Sequence, residues 1–179
     1  MKRTVFLLCV LIIGSIGQAY AEQGDHFYLV KGGMLWRDAA DEPDAMTTLG
    51  LTYGYGITQR ISLEIDYDRS LTGGAYKRTD PIAEEGEYKI WLASANAAYR
   101  HLLFSGVYLK AKAGYTYGNE SRSSDTGSDQ DDTLKGVSAN LGLGYLAGSL
   151  MGSSTTIELS YTWHKQDITS AMLGVNLTF

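Results

Sequence analysis

The sequence is short of the parts most stabilised or catalytic folds rely on. It has one cysteine, Cys9, so no disulfide can form within the chain. It has only two prolines, so extended ladders are rarely interrupted. After residue 21 no segment approaches the 18 or so continuous apolar residues of a membrane helix, which excludes a helical membrane protein there. Bases are outnumbered, 15 against 20 acids for a net charge of −5, with no basic stripe, and this argues against nucleic acid as a partner. Glycine and aromatics, by contrast, are abundant: 21 Gly, 13 Tyr and 3 Trp. Disordered chains are poor in aromatics, so the composition belongs to a folded, strand-rich protein.

The first 21 residues read separately from the rest. Lys2 and Arg3 form a basic start, Thr4 to Ile16 an apolar run, and Ala19-Tyr20-Ala21 a small-x-small cleavage site. This is the pattern of a secretory signal peptide (1–21) cut before Glu22. A retained anchor is the alternative, but the run falls short of the ~20 residues of a span. Cys9 lies inside that run, which speaks against a lipidated start. Cleavage removes the only cysteine and two bases, leaving residues 22–179 as one acidic, disulfide-free domain in an oxidising compartment.

Within 22–179 the recurrent signal is a period of two, which marks strands with differently solvated faces. Eight such strands follow in order. The first, from about Phe27 to Trp36, sets Tyr28, Val30, Met34 and Trp36 against Lys31, Gly33 and Leu35. The second sets Leu49, Leu51, Tyr53 and Tyr55 against Gly50, Thr52, Gly54 and Gly56; after a short turn the third sets Ile61, Leu63, Ile65 and Tyr67 against Ser62, Glu64, Asp66 and Asp68. That pair is a hairpin. The fourth, about Tyr88 to Arg100, is the least regular: Trp91, Ala93, Ala95, Ala97 and Tyr99 share a parity, yet Ile90 and Leu92 fall on the other. Its alanines leave a helix open as an alternative.

The fifth strand alternates Leu109, Ala111, Ala113, Tyr115 and Tyr117 with Lys110, Lys112, Gly114, Thr116 and Gly118. The sixth carries Val137, Ala139, Leu141, Leu143 and Tyr145 on one parity, and the seventh Ile157, Leu159, Tyr161 and Trp163. The eighth ends the sequence as Leu173-Gly174-Val175-Asn176-Leu177-Thr178-Phe179.

Three features predict an antiparallel up-and-down eight-stranded transmembrane β-barrel. Connections alternate, with long polar loops 37–45, 69–87 and 119–133 and short turns between, as in barrels with outer loops and periplasmic turns. Aromatics gather at strand ends. Trp36, Tyr67, Trp91, Tyr115, Tyr117 and Trp163 fall on one rim, and Tyr28, Tyr53, Tyr55, Tyr99, Tyr145 and Phe179 on the other. The polar parity carries Lys31, Lys110 and Lys112 against Glu64, Asp66 and Glu158 among small residues. Eight strands enclose a space that side chains just fill, so these six are expected to form an interior salt-bridge cluster in a barrel with no wide channel. A secreted lipocalin-like barrel, with its apolar parity inward, is the soluble alternative.

With the ending Ala19-Tyr20-Ala21, the hairpin Leu51-Thr52-Tyr53-Gly54-Tyr55-Gly56 into Ile61-Ser62-Leu63-Glu64-Ile65-Asp66-Tyr67, and the close Val175-Asn176-Leu177-Thr178-Phe179, the chain resembles the small eight-stranded outer-membrane barrels. That group includes the OmpA transmembrane domain, OmpX-like proteins and opacity-type adhesins. The resemblance implies a bacterial outer-membrane location and surface exposure, with roles from membrane integrity to adhesion and evasion of host defences. It implies that Leu173, Val175, Leu177 and Phe179 act as the signal read by the barrel-assembly machinery. Residues 22–179 leave no room for the periplasmic wall-binding domain that OmpA carries.

Catalytic chemistry has little to stand on. Some small barrels of this compartment modify lipid A, but the deacylases place a Ser two residues after their His, and after His164 that position is Gln166. Strand rise puts His164 roughly 13 Å from Ser160, beyond a working base's reach. His26 and His101 fall at the periplasmic rim. Asp125, Asp129, Asp131 and Asp132 crowd one loop and Asp38, Asp41 and Asp44 another, without the turn glycine and closing Glu of a calcium loop. No catalytic residue, cofactor or metal is therefore assigned. The expected function is a non-enzymatic surface barrel that maintains the membrane or binds extracellular factors through its loops. The alternatives are a lipid A-modifying enzyme and, more weakly, a narrow pore.

Overall fold

The computed structural model describes residues 23–37, 44–77, 85–124, 130–150, 153–165 and 167–179; the expected signal peptide lies outside them. Nine strands follow one another without a helix among the described residues: β1 (His26–Arg37), β2 (Asp44–Gly56), β3 (Ile61–Ser70), β4 (Gly74–Lys77), β5 (Glu85–Phe104), β6 (Val107–Ser124), β7 (Gln130–Leu150), β8 (Ser153–His164) and β9 (Ile168–Thr178). Chain neighbours pair antiparallel except β3 and β4, which both pair with β5. The two are parts of one crossing. Between Arg69↔Trp91 and Gly74↔Tyr88 the β3–β4 side carries two extra residues, a bulge that bends the outer end of that crossing. The barrel thus has eight crossings.

Closure comes from β1 against β9, with Val30 opposite Val175 and Phe27 opposite Thr178. At the end of the seam Phe179 N donates to His26 O at 2.9 Å and His26 N to Phe179 O at 3.2 Å. A sheet in hydrocarbon must satisfy every backbone group internally, and a closed ladder does so. The strand pleat then divides the side chains. Leu51, Leu63, Ile65, Leu141, Leu159, Leu173 and Val175 are exposed on the outer wall, while Thr52, Glu64, Asp66, Asn140, Glu158 and Asn176 are buried inside.

The irregular fourth crossing is strand, not helix. Its outward alanines sit between larger neighbours, Ala93 between Tyr67 and Tyr117 and Ala95 between Ile65 and Tyr115. Ile90 and Leu92 point inward instead, joining Leu35, Met46, Tyr88, Leu134 and Ile168 in an apolar layer across the outer part of the lumen. The expected loops are partly strand as well. β5 starts at Glu85, β6 runs to Ser124 and β7 begins at Gln130, so much of 69–87 and 119–133 is paired backbone. Beyond the bilayer both faces meet water, so alternation fades from the sequence while the hairpin continues. Of 37–45, residues 38–43 lie outside the described ones, and β2 takes up the chain at Asp44. At the other end the turns are tight. Ser105 and Gly106, between β5 and β6, carry φ of 39° and 81°, and the β7–β8 ladder shifts register between Leu146 and Gly148.

Two glycines make room for large interior rings. A Cβ on Gly54 would stand 1.9 Å from the Phe27 ring, and one on Gly144 2.0 Å from that of Tyr108. The wall also fixes a measurable contrast. Leu141 lies at mid-height of β7 on the outer face, 48 % exposed. Leu141→Arg should destabilise the barrel by about 2–4 kcal/mol in vesicles. Thr133→Arg, above the aromatic row, should change it by less than about 1 kcal/mol. Denaturant unfolding followed by the gel shift between folded and boiled protein reads both, and equal losses would refute this placement of the apolar band.

Candidate functional site

The chemistry of the chain is concentrated inside the barrel. Lys31 (β1), Glu64, Asp66 and Asp68 (β3), Lys110 and Lys112 (β6) and Glu158 (β8) project into one buried layer. Period-two strands place them there, because each lies on the parity opposite the lipid-facing row. Lys112 Nζ is 3.1 Å from Glu64 Oε2 and 2.9 Å from Asp66 Oδ2. Lys31 Nζ is 3.0 Å from Asp66 Oδ1 and 3.0 Å from Asp68 Oδ1. Lys110 Nζ is 2.7 Å from Glu158 Oε1 and 3.4 Å from Glu64 Oε2. Arg100 adds a fourth cation, 3.5 Å from Glu64 Oε1.

Four cations thus face four carboxylates. Desolvating a single ion pair costs several kcal/mol and rarely returns a profit. Here most charges meet two or more opposite ones and further polar groups. Asp66 also accepts from Thr52 Oγ1 at 2.5 Å and Asn96 Nδ2 at 2.7 Å, and Glu64 from Ser62 Oγ at 3.1 Å. All six residues singled out from the sequence are brought into this one lattice. Asp68 and Arg100 belong to it too, though the alternation marked Asp68 only as inward and Arg100 sits at a strand end.

Further layers of side chains lie beyond the lattice at each end. Towards the periplasmic turns, the Arg100 guanidinium lies 4.4 Å from the Phe27 ring centre and 5.9 Å from that of Tyr108. Tyr108 Oη donates to Glu158 Oε2 at 3.1 Å. Towards the outer end, Ser94 Oγ and Thr116 Oγ1 are 2.6 Å apart, and Thr116 Oγ1 is 3.2 Å from His164 Nδ1. The apolar layer of Leu35, Met46, Ile90 and Ile168 follows. At the mouth Arg37 pairs with Glu120, which also binds Arg122 at 2.5 Å, and Arg122 reaches Asp132 at 3.3 Å.

The other residues considered from sequence are dispersed. His164 is buried on the lumen side, His26 bonds Tyr53 Oη at 2.7 Å, and His101 stacks beside Tyr99 at 6.5 Å. Asp131 accepts from Ser121 Oγ at 2.6 Å; Asp38, Asp41, Asp125 and Asp129 lie outside the described residues. Among the described residues no three His, Cys, Asp or Glu side chains converge on a common point for a metal. Leu173, Val175 and Phe179 are exposed on the outer wall, Leu177 is half-buried between them, and Phe179 meets Tyr28 edge-on at 6.3 Å. His164 aside, the members of the mouth and end layers carry no signal in the sequence, because they are scattered over different strands and one sequence gives no register between them.

Residues 6–179 match the family model described as outer membrane protein beta-barrel domain. No curated protein matches the chain in sequence. Solved structures share the fold at low identity. Neisserial surface protein A (NspA) superposes with a TM-score of 0.61 and 17 % identity, covering 87 % of this chain and 97 % of that one. OprG from Pseudomonas aeruginosa gives 0.63 and 12 %, covering 89 % and 98 %. Ail, the attachment invasion locus protein of Yersinia pestis, in complex with the heparin analogue sucrose octasulfate, gives 0.54 and 16 %, covering 88 % and 99 %.

The lattice makes a quantitative demand. Lys112→Met removes the cation shared by Glu64 and Asp66 and should cost about 3–5 kcal/mol of stability in bilayers. Lys89→Met on the exposed wall should cost less than about 1 kcal/mol. Denaturant titration distinguishes them, and a Lys112→Met barrel as stable as the parent would contradict the paired-lattice description.

Proposed function

The chain belongs to the outer membrane protein beta-barrel domain family and resides in the bacterial outer membrane; from that premise we propose that it is a non-enzymatic barrel packed shut inside. It contributes to outer-membrane integrity and offers its outer end, the segments 37–45, 69–87 and 119–133, for adhesion or host-factor binding. The observation that carries this reading is the four-against-four charge lattice with an apolar layer above it, which leaves function to the rim and the outer wall. The name of Ail, an attachment protein, supports the surface role by analogy of fold. Assembly through the barrel-assembly machinery, with Leu173, Val175, Leu177 and Phe179 as the recognised end, and export by a signal peptide at 1–21, complete the proposal.

The competing lipid A-modifying reading draws on the contact of His164 with the Thr116 hydroxyl. That pair faces the lumen, whereas acyl chains lie outside the wall, so the non-enzymatic reading is preferred. Deleting the gene should leave the lipid A profile unchanged and raise sensitivity to detergent; an altered lipid A profile restored by the wild-type chain would overturn it. In planar bilayers the purified protein should show no large, stable conductance steps, and the appearance of such steps would contradict a shut interior.

A further inference from the structure

The outer wall carries a feature that neither the lumen nor the loop tips explain. At its outer end a recess of ≈ 660 Å³ is lined by Tyr67 and Arg69 of β3, Lys89 and Trp91 of β5, Asn119 of β6 and Asp131 of β7, among others. Its lower edge is a continuous row of rings, with Tyr67 6.4 Å from Trp91 and Trp91 6.0 Å from Tyr117. Aromatic rows of this kind mark the boundary between hydrocarbon and headgroups. Arg69 and Lys89 lie two residues further out on the same face as Tyr67 and Trp91, in adjacent strands whose register sets Arg69 opposite Trp91. Two residues of strand rise put Arg69 about 7 Å along β3 from Tyr67, at the rung of Trp91, and Lys89 about 7 Å along β5 beyond Trp91, so both cations lie on the headgroup side of the row.

The two cations are available for a ligand. Arg69 has no carboxylate partner among the described residues, and the contact of Lys89 is a loose one to Glu87 at 3.7 Å between two exposed side chains. A guanidinium and an ammonium together suit a phosphate, the former binding it through two parallel N–H donors. Asp131 is held by Ser121 at 2.6 Å, and its charge limits how much anion the recess accepts.

We propose that this recess binds the phosphorylated headgroup of an outer-leaflet glycolipid, with Arg69 and Lys89 on the phosphate and Tyr67 and Trp91 against the sugar and upper acyl chain. A lipid is the occupant because the recess opens on the lipid-facing wall rather than at the mouth. The inference needs only the barrel's orientation in the membrane and is independent of a shut lumen or of any loop partner.

The test uses the full chain in nanodiscs containing, in turn, bisphosphorylated lipid A, dephosphorylated lipid A and phosphatidylglycerol, with retained lipid counted by native mass spectrometry. The wild type should retain bisphosphorylated lipid A about tenfold better than either of the others, as expected for a charge-assisted phosphate contact. The double variant Arg69→Gln/Lys89→Gln should lose that preference while keeping the gel shift of a folded barrel. Asp131→Asn should strengthen retention, and Lys135→Gln, an exposed cation outside the recess, should leave it unchanged. The proposal is overturned if the double variant retains lipid A like the wild type, if Lys135→Gln loses as much, or if phosphatidylglycerol is held equally well. Displacement by millimolar inorganic phosphate would assign the recess to a soluble anion and overturn it too.

Discussion

Everything in this molecule depends on the backbone hydrogen bonds of the seam between β1 and β9. In hydrocarbon an unpaired N–H or C=O costs several kcal/mol, so an open sheet edge could not persist there. Pairing Val30 with Val175 and Phe27 with Thr178 converts a row of hairpins into a closed wall. Closure then dictates the rest. Each strand has one side turned to lipid and one to the lumen, and the composition of each side follows from which surroundings it meets.

The lumen shows how that requirement is met. A purely apolar filling would make both parities alike and weaken register, since a one-residue slip would then cost little. The charge lattice makes slip expensive, because every displaced residue would strand a buried Lys, Glu or Asp in the lipid-facing row. Glycines at positions such as 54 and 144 let Phe27 and Tyr108 lie flat against the wall. The apolar layer around Ile90 and Met46 and the Arg37–Glu120–Arg122 group lie beyond the lattice towards the outer mouth.

Much of this was legible in the alternation alone. Glu64 and Asp66 between Leu63, Ile65 and Tyr67 can only face away from lipid once the apolar residues face it, and Lys110 and Lys112 follow the same logic. Contacts were less accessible. Which lysine meets which carboxylate depends on register and shear between strands distant in sequence, so Arg100 against Glu64 could not be anticipated. Ile90 and Leu92 looked like faults in a strand because an apolar layer within a polar lumen violates the simple two-face rule. The hairpin extensions at Ser121–Ser124 and Gln130–Thr133 read as loop because water on both sides removes the very alternation that reveals a strand.

The most direct measurement of closure is amide hydrogen exchange in lipid bilayers along Leu173 to Thr178. A closed barrel predicts that these amides exchange as slowly as those of Leu109 to Tyr115 in β6, whose strand is paired on both sides throughout. Fast exchange confined to the alternate β9 amides that point at β1, with β6 protected, would mean that the seam is open and would contradict the account.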